Sequence, residues 1–377
     1  MKKKILIKNG IVIDPLLGLQ EKRDLYIQNG KIVEQKDLSG VDILVDAEGA
    51  YVFPGLIDYH SHIFYDNTEI GIEPDLHMLP QGVTLTVDAG SAGVANIQSL
   101  LDNVICRSKM RVKAFVNVCP SGLATMKFHE NVDPKYWNKE LLQEVLEKNK
   151  DTVLGLKVRI SKDIVGDLGL DVLKLAVQLA ESLQTRLVVH VTDPPENMGV
   201  IVDCLRSGDV LAHCYHGTGH TILDENKKVL EKVVAAQKRG VVIDAANGGN
   251  HWSFAVAEKA LQQGFLPDII STDITTKTVF KDPVFALPYI MSKYLMLGMD
   301  LMDVVARCTS IPAKVLGLES KLGSLQNGFE ADAVVFKLVD KEISFTDTQG
   351  QNRIGKQVLV PQLTVCQGEI VYRSILL

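Results

Sequence analysis

Pro54-Gly-Leu-Ile-Asp58-Tyr-His60-Ser-His62 decides how this chain is read. The stretch starts apolar, as a buried strand does, and ends in two imidazoles one residue apart. Side chains alternate across a strand, so His60 and His62 leave on one face. Two neutral imidazoles on one face can grip a divalent cation, and zinc, iron, nickel and copper all take such ligands. A His-x-His pair alone is weak evidence. Its weight depends on which other ligand types the chain brings to the same place.

Outward from this stretch, short apolar strands alternate with helical segments. Seven more strand candidates follow 56–62, at 83–90, 113–119, 152–159, 186–191, 209–215, 241–246 and 268–274. Amphipathic stretches at 139–150, 170–183 and 227–239 lie between them. Such alternation predicts a parallel sheet. Eight units in about 260 residues fit a (β/α)8 TIM barrel. A doubly wound open sheet is the alternative, but no Gly-rich phosphate loop follows the first strand.

The two ends of the chain read differently from its middle. Ile5-Leu-Ile, Ile11-Val-Ile and Leu25-Tyr-Ile are punctuated by Asn9-Gly10 and Asn29-Gly30, both hairpin signals. Ala333-Val-Val-Phe, Val358-Leu-Val and Gln367-Gly-Glu-Ile-Val-Tyr are similar in character. We expect 1–52 plus 313–377 to form a small β-sandwich domain and 53–312 the barrel.

A barrel carries its chemistry at the C-terminal ends of its strands. Strand one ends in His60 and His62. Strand four, Val153-Leu-Gly-Leu-Lys157-Val-Arg159, holds a lysine in an apolar run. Strands five and six end in His190 and His213, and strand eight in Asp273. Singly, a strand-end histidine is ordinarily a hydrogen-bonded rim residue, and a strand-end aspartate a cap. Jointly, six such positions converging on one mouth point to a metal centre. Arg159 shares the inward face of Lys157 and suits a substrate carboxylate, or else a salt bridge with a rim acid. His216 and His251 lie on loops after strands six and seven, where barrels line their pockets. Both are candidate substrate contacts. Cys119 and Cys214, at strand ends, read as small packing residues.

Composition narrows the class. Hydrophobic residues make up 46% of the 377, enough for a sizeable core. The net charge of −6 leaves no basic footprint for nucleic acid. No apolar run reaches the ~20 residues of a membrane helix. The start has too short an apolar run for a signal peptide. The six scattered cysteines contain no Cys-x-x-Cys pair. The expectation is a cytoplasmic protein with free thiols, acting on a small molecule, with no nucleic-acid or membrane partner. Exposed barrel helices leave room for a homo-oligomer.

With these residues in view, the chain resembles the amidohydrolase superfamily of metal-dependent hydrolases. The resemblance spans nearly the whole chain. It rests on the Pro54–His62 stretch, His190, His213, Thr272-Asp273, Thr309-Ser-Ile-Pro-Ala-Lys-Val-Leu-Gly-Leu, and the return Gly323-Ser-Leu-Gln-Asn-Gly-Phe-Glu-Ala-Asp332-Ala-Val-Val. It implies that His60, His62 and Asp273 hold a buried metal and His190 and His213 a more exposed one. Two divalent ions, zinc by expectation, would be bridged by Lys157 as a carbamate formed with carbon dioxide. An ammonium cannot ligate a cation, whereas a carbamate is a carboxylate-like anion. A shared hydroxide would attack the carbonyl carbon, with Asp273 as general acid and base.

Within the superfamily, Gly155-Leu-Lys-Val-Arg resembles a group described as deacetylases and often labelled dihydroorotase-like or adenine-deaminase-like. Deacetylation of a small acylated hydroxy or amino acid is the expected reaction. Dihydroorotases place an arginine where this chain has Phe64. Related sequences tend to carry Gly-His-Gly where this chain has Ala246-Asn247-Gly248. Adenine deamination and cyclic-amide hydrolysis are the alternatives. A non-catalytic scaffold is disfavoured because all six ligand positions are filled.

Overall fold

Tyr51–Pro54 ends a strand of one sheet, and Leu56–Ser61 begins the first strand of another. The chain thus steps from a small domain into the barrel within two residues. The computed structural model describes residues 2–35, 40–375 and 377.

Seven strands form one all-parallel sheet in chain order: Leu56–Ser61, Val83–Asp88, Arg111–Asn117, Val153–Arg159, Arg186–His190, Val210–Ala212 and Val242–Asp244. The eighth segment, expected as a strand over 268–274, is not a regular one. Single parallel bridges, Asp244 to Ile269 and Ser61 to Ile274, tie it to both edges and close the ring. The reason lies at Asp273, whose φ of 52° is left-handed and breaks the extended run. Side-chain bonds from Asp58 replace the missing ladder. Its carboxylate accepts from the Thr272 N–H at 3.0 Å and the Thr272 hydroxyl at 2.6 Å.

Alternation along the strands sorts the core. Ile57, Tyr59, Leu85, Val87, Phe115, Val188 and Val210 cluster together inside the ring. Their opposite-parity neighbours Leu56, Val116, Leu156, Leu187, Val189 and Leu211 join the larger core under the helices. Helix Asp171–Ser182 shows how those helices dock: it buries Val172, Leu173, Ala176 and Ala180 on one stripe and leaves its charged residues outside. In helix Lys139–Lys148 the Asn138 side chain accepts from the Leu141 N–H and supplies the cap.

The two termini build a sandwich of two sheets. A four-stranded sheet takes Ile5–Lys8, Leu25–Gln28, Lys31–Val33 and Ile43–Asp46. A six-stranded sheet runs Glu369–Arg373, Asn352–Cys366, Ala333–Thr346, Tyr51–Pro54, Ile11–Asp14 and Leu19–Lys22. Residue 313 falls within a short helix, Ser310–Val315, and the C-terminal strands start at Ala333. Asn29-Gly30 is a true hairpin turn. Asn9-Gly10 is not: the strands it joins belong to different sheets, so the left-handed Asn9 turns a corner of the sandwich. Val12, Val52, Ala333, Val335 and Leu363 face Ile5, Ile7, Leu25 and Ile27 across the sandwich. Ile13, Phe53, Val334 and Phe336 leave the same sheet on its other side and pack into the barrel's core. The Phe53 and Phe336 rings stack at 5.5 Å there, a contact of about 0.5–1.5 kcal/mol beyond burial.

Candidate metal centre

The strand ends converge as their spacing predicts. His60 is the last-but-one residue of the first strand, and His62 lies one past its end. Both are buried. His62 Nε2 lies 3.1 Å from Asp273 Oδ1, and His60 Nε2 lies 3.8 Å from it. His60, His62 and Asp273 form one group whose ligand atoms lie within 4.8 Å of one another. A second such group is His190, His213 and His251. The His190 and His213 rings meet edge to face at 4.3 Å.

Lys157 reaches the first group. It is buried, and its Nζ lies 3.4 Å from His60 Nε2. Among the described residues no carboxylate forms an ion pair with it, so its amine is not the partner of Asp273. Gly90 makes room for it. A Cβ on Gly90 would sit 2.5 Å from the Lys157 Cβ and Cγ, and its φ of 87° is left-handed. Burial lowers the Lys157 amine to about 8, despite the opposing charge of Asp273.

Outer partners hold the ligands in place. Asp244 Oδ2 accepts from His60 Nδ1 at 3.1 Å, and Asp244 Oδ1 accepts from the Ser271 hydroxyl. Ser91 Oγ lies 2.8 Å from His62 Nδ1. The Ala246 carbonyl accepts from His213 Nδ1 at 2.8 Å. Each bond turns the other ring nitrogen toward the centre, as the partners of metal-bound histidines do. The Nε2 atoms of His190 and His213 are buried with no partner among the described residues. Leaving such atoms unsatisfied costs about 1–3 kcal/mol each, so a ligand for them is the physical expectation. Burial also holds His60, His190 and His213 below the usual imidazole range. They are therefore neutral, the form that binds metal. For Asp273, burial alone would raise the carboxyl. The His62 hydrogen bond works the other way, and the carboxyl is held below the usual carboxylate range. His213 and Asp273 are both left-handed, at φ of 64° and 52°. Local strain is thus placed on two of the candidate ligands. The donor set fits divalent metals well: imidazoles and one carboxylate, with a lysine amine that burial shifts toward the neutral form.

The cleft above these groups has a volume of about 160 Å³. Arg159, Asn250, His251 and Lys277 supply its polar wall, and Ile70, Leu123 and Met126 its apolar one. Arg159 faces inward beside Lys157, as alternation predicts, and is ion-paired with the buried Glu130. His216 is fully buried and does not line the cleft. His251 does, yet it belongs to the second histidine group. Cys119 and Cys214 are buried thiols that burial pushes up, the unreactive condition expected of packing residues. Asp58, Asp244 and Glu130 carry no motif that marks them in the sequence as partners of this site. Asp58 had a signal, since it shares the alternation of His60 and His62.

The amidohydrolase family model matches residues 51–371. The chain belongs to the amidohydrolase family. This amidohydrolase is a hydrolase of the class that acts on small molecules. It is 35% identical over 331 residues to a deacetylase of Agrobacterium fabrum, covering 88% of this chain and 81% of that one. It is 31% identical over 367 residues to a deacetylase of Enterococcus faecalis, covering 92% and 98%. Among solved structures, one described as a dihydroorotase superposes with a TM-score of 0.90 at 33% identity, covering 99% of this chain and 98% of that one. One described as an adenine deaminase gives 0.89 at 31%, covering 98% and 99%. Among the described residues of this amidohydrolase, no helix is long and apolar enough to cross a membrane.

One prediction arises from the outer partners. Asp244→Asn removes the charge behind His60 and should weaken metal retention about 10–100-fold. Metal content after dialysis against a graded chelator checks this; wild-type retention would show that Asp244 does not support a ligand.

Proposed function

We propose that this enzyme removes the acetyl group from a small acylated hydroxy or amino acid at a site for two divalent cations. The observation that carries the proposal is Lys157: a buried amine beside the ligand groups, without a carboxylate partner among the described residues. His60, His62 and Asp273 would hold the inner ion, and His190 and His213 the outer. Lys157 would bridge them once its neutral amine has added carbon dioxide and lost a proton. Imidazole and carboxylate donors favour zinc, with other borderline metals also acceptable. When bound, such ions acidify water and polarise a carbonyl.

The chain's own residues do the rest. Asp273, ionised and central, takes the proton of the attacking water and passes it to the leaving oxygen or nitrogen. Arg159 and Lys277 line the cleft and place positive charge where a substrate carboxylate would sit. Glu130 holds the Arg159 guanidinium in place from behind. Ile70, Leu123 and Met126 leave a modest apolar wall for the acid's side chain.

A second reading, deamination of adenine, has the adenine deaminase structure in its favour. A neutral purine gives Lys277 nothing to pair with, which weighs against it. Ring opening of a cyclic amide, suggested by the dihydroorotase structure, would have to hold its carboxylate without the arginine that Phe64 replaces. Phe64 is fully buried. The reading includes a cytoplasmic setting, on the scattered cysteines and the lack of a Cys-x-x-Cys pair in the sequence.

The zinc-loaded enzyme decides between these readings when given N-acetyl amino acids, O-acetyl hydroxy acids, adenine and dihydroorotate. We expect acetate release, abolished by chelation and restored by metal. Ammonia from adenine without acetate from any acylated acid would overturn the reading.

A further inference from the structure

We propose that His251 is a third imidazole ligand of the outer metal, beside His190 and His213. The inference rests on the two-metal reading above and adds a ligand to it. Sequence reasoning places His251 on the irregular loop Asn247-Gly-Gly-Asn-His251 and reads it as a substrate contact. The structure places it on the cleft wall and also against the two outer histidines.

Three observations carry the assignment. First, the ring nitrogens of His190, His213 and His251 lie within 4.8 Å of one another. Donors on one tetrahedral zinc ion, each about 2.0–2.1 Å from it, are about 3.4 Å apart. The three side chains would close in by up to about 1.4 Å to share one ion. The rings surround one point, with centroids 4.3 Å (His190 to His213), 4.7 Å (His190 to His251) and 4.4 Å (His213 to His251) apart.

Second, the ring of His251 is held in a ligand's orientation. Thr192 Oγ1 lies 2.8 Å from its Nδ1, as the Ala246 carbonyl lies 2.8 Å from His213 Nδ1. The nitrogen left over, Nε2, is 3.8 Å from Asp273 Oδ2, too far for a hydrogen bond. It lies beside His190 and His213, whose Nε2 atoms are buried without a partner among the described residues.

Third, the loop is built to deliver it. Gly248 is left-handed, with a φ of 57°. A Cβ there would meet Asp273 Oδ2 at 2.4 Å and His251 Cδ2 at 2.6 Å. Only glycine lets the loop lie flat on Asp273 and return His251 to the centre. An outer ion held by three imidazoles would tie this loop to the strand ends. Such a donor set also favours zinc, cobalt or nickel over manganese or magnesium.

Metal retention tests the proposal on the full-length chain loaded with zinc or cobalt. Wild type should hold two equivalents through dialysis against a graded chelator. His251→Ala should keep the inner ion and release the outer at a chelator activity lower by about tenfold or more. The cobalt-loaded variant should lose the absorption of one site. Thr192→Val keeps the imidazole but frees its ring, and should give a smaller loosening of the same ion. If both variants retain two equivalents as wild type does, His251 is not a ligand, and a rise in KM alone would return it to the substrate. If wild type itself binds no metal, the two-metal reading fails first.

Discussion

Lys157→Ala is expected to cost this enzyme at least about 10³-fold in turnover, roughly 4 kcal/mol of barrier. The loss follows from where the side chain lies. It is buried beside His60, with Gly90 kept bare to let its stem pass. Truncation leaves a gap between the two ligand groups with no anion to span it. Short carboxylic acids such as formate or acetate should diffuse into that gap and restore part of the activity. A free amine acting merely as a charge would not be rescued this way. The carbamate itself is open to observation. Wild type loaded in ¹³C-bicarbonate should show a carbamate carbon by NMR that Lys157→Ala lacks. Only a neutral amine adds carbon dioxide. With its amine near 8, about half of Lys157 is neutral at pH 8, against less than about 1% for an ordinary lysine. Loading of metal-free protein should therefore be faster at pH 8 than at pH 6. A fully active Lys157→Ala enzyme in carboxylate-free buffer would end the bridging role.

Asp273→Asn should separate metal binding from proton transfer. The amide keeps an oxygen donor of the same size beside His62, so much of the metal should stay. It cannot carry a proton, so turnover should fall about 10²–10⁴-fold while metal content changes little. Elemental analysis and kcat measured on the same preparation check both halves. Unchanged kcat would remove Asp273 as the proton carrier. Loss of metal in step with activity would make it a ligand and nothing more.

The sequence announced most of this site because the barrel is periodic. Alternation alone puts His60 with His62 and Lys157 with Arg159, and the strand-end rule adds His190, His213 and Asp273. Where periodicity stops, side-chain positions are no longer legible from spacing. Asp273 has the spacing of an eighth strand's end, but its left-handed backbone makes that segment a pair of isolated bridges. His251 follows two glycines and an asparagine, and no period projects where such a loop sends a side chain. Asp244 and Glu130 act across strands and loops distant in sequence, so their partners are visible only once the chain is folded. Asn9-Gly10 has hairpin composition, yet turn chemistry fixes local backbone only. The choice of sheet on either side is made by burial of Ile7 against Leu25 and of Val12 against Val52.

The sandwich sheet that backs the barrel draws its strands from residues 11–54 and 333–373. A ribosome delivers those halves at opposite ends of synthesis. Until the late half arrives, the edge of Tyr51–Pro54 and the ring of Phe53 lack the cover of Ala333–Thr346, and they sit immediately upstream of the strand that carries His60. This enzyme's centre should therefore mature after translation is nearly complete, and a chain clipped before residue 333 should emerge as a chaperone client with little metal.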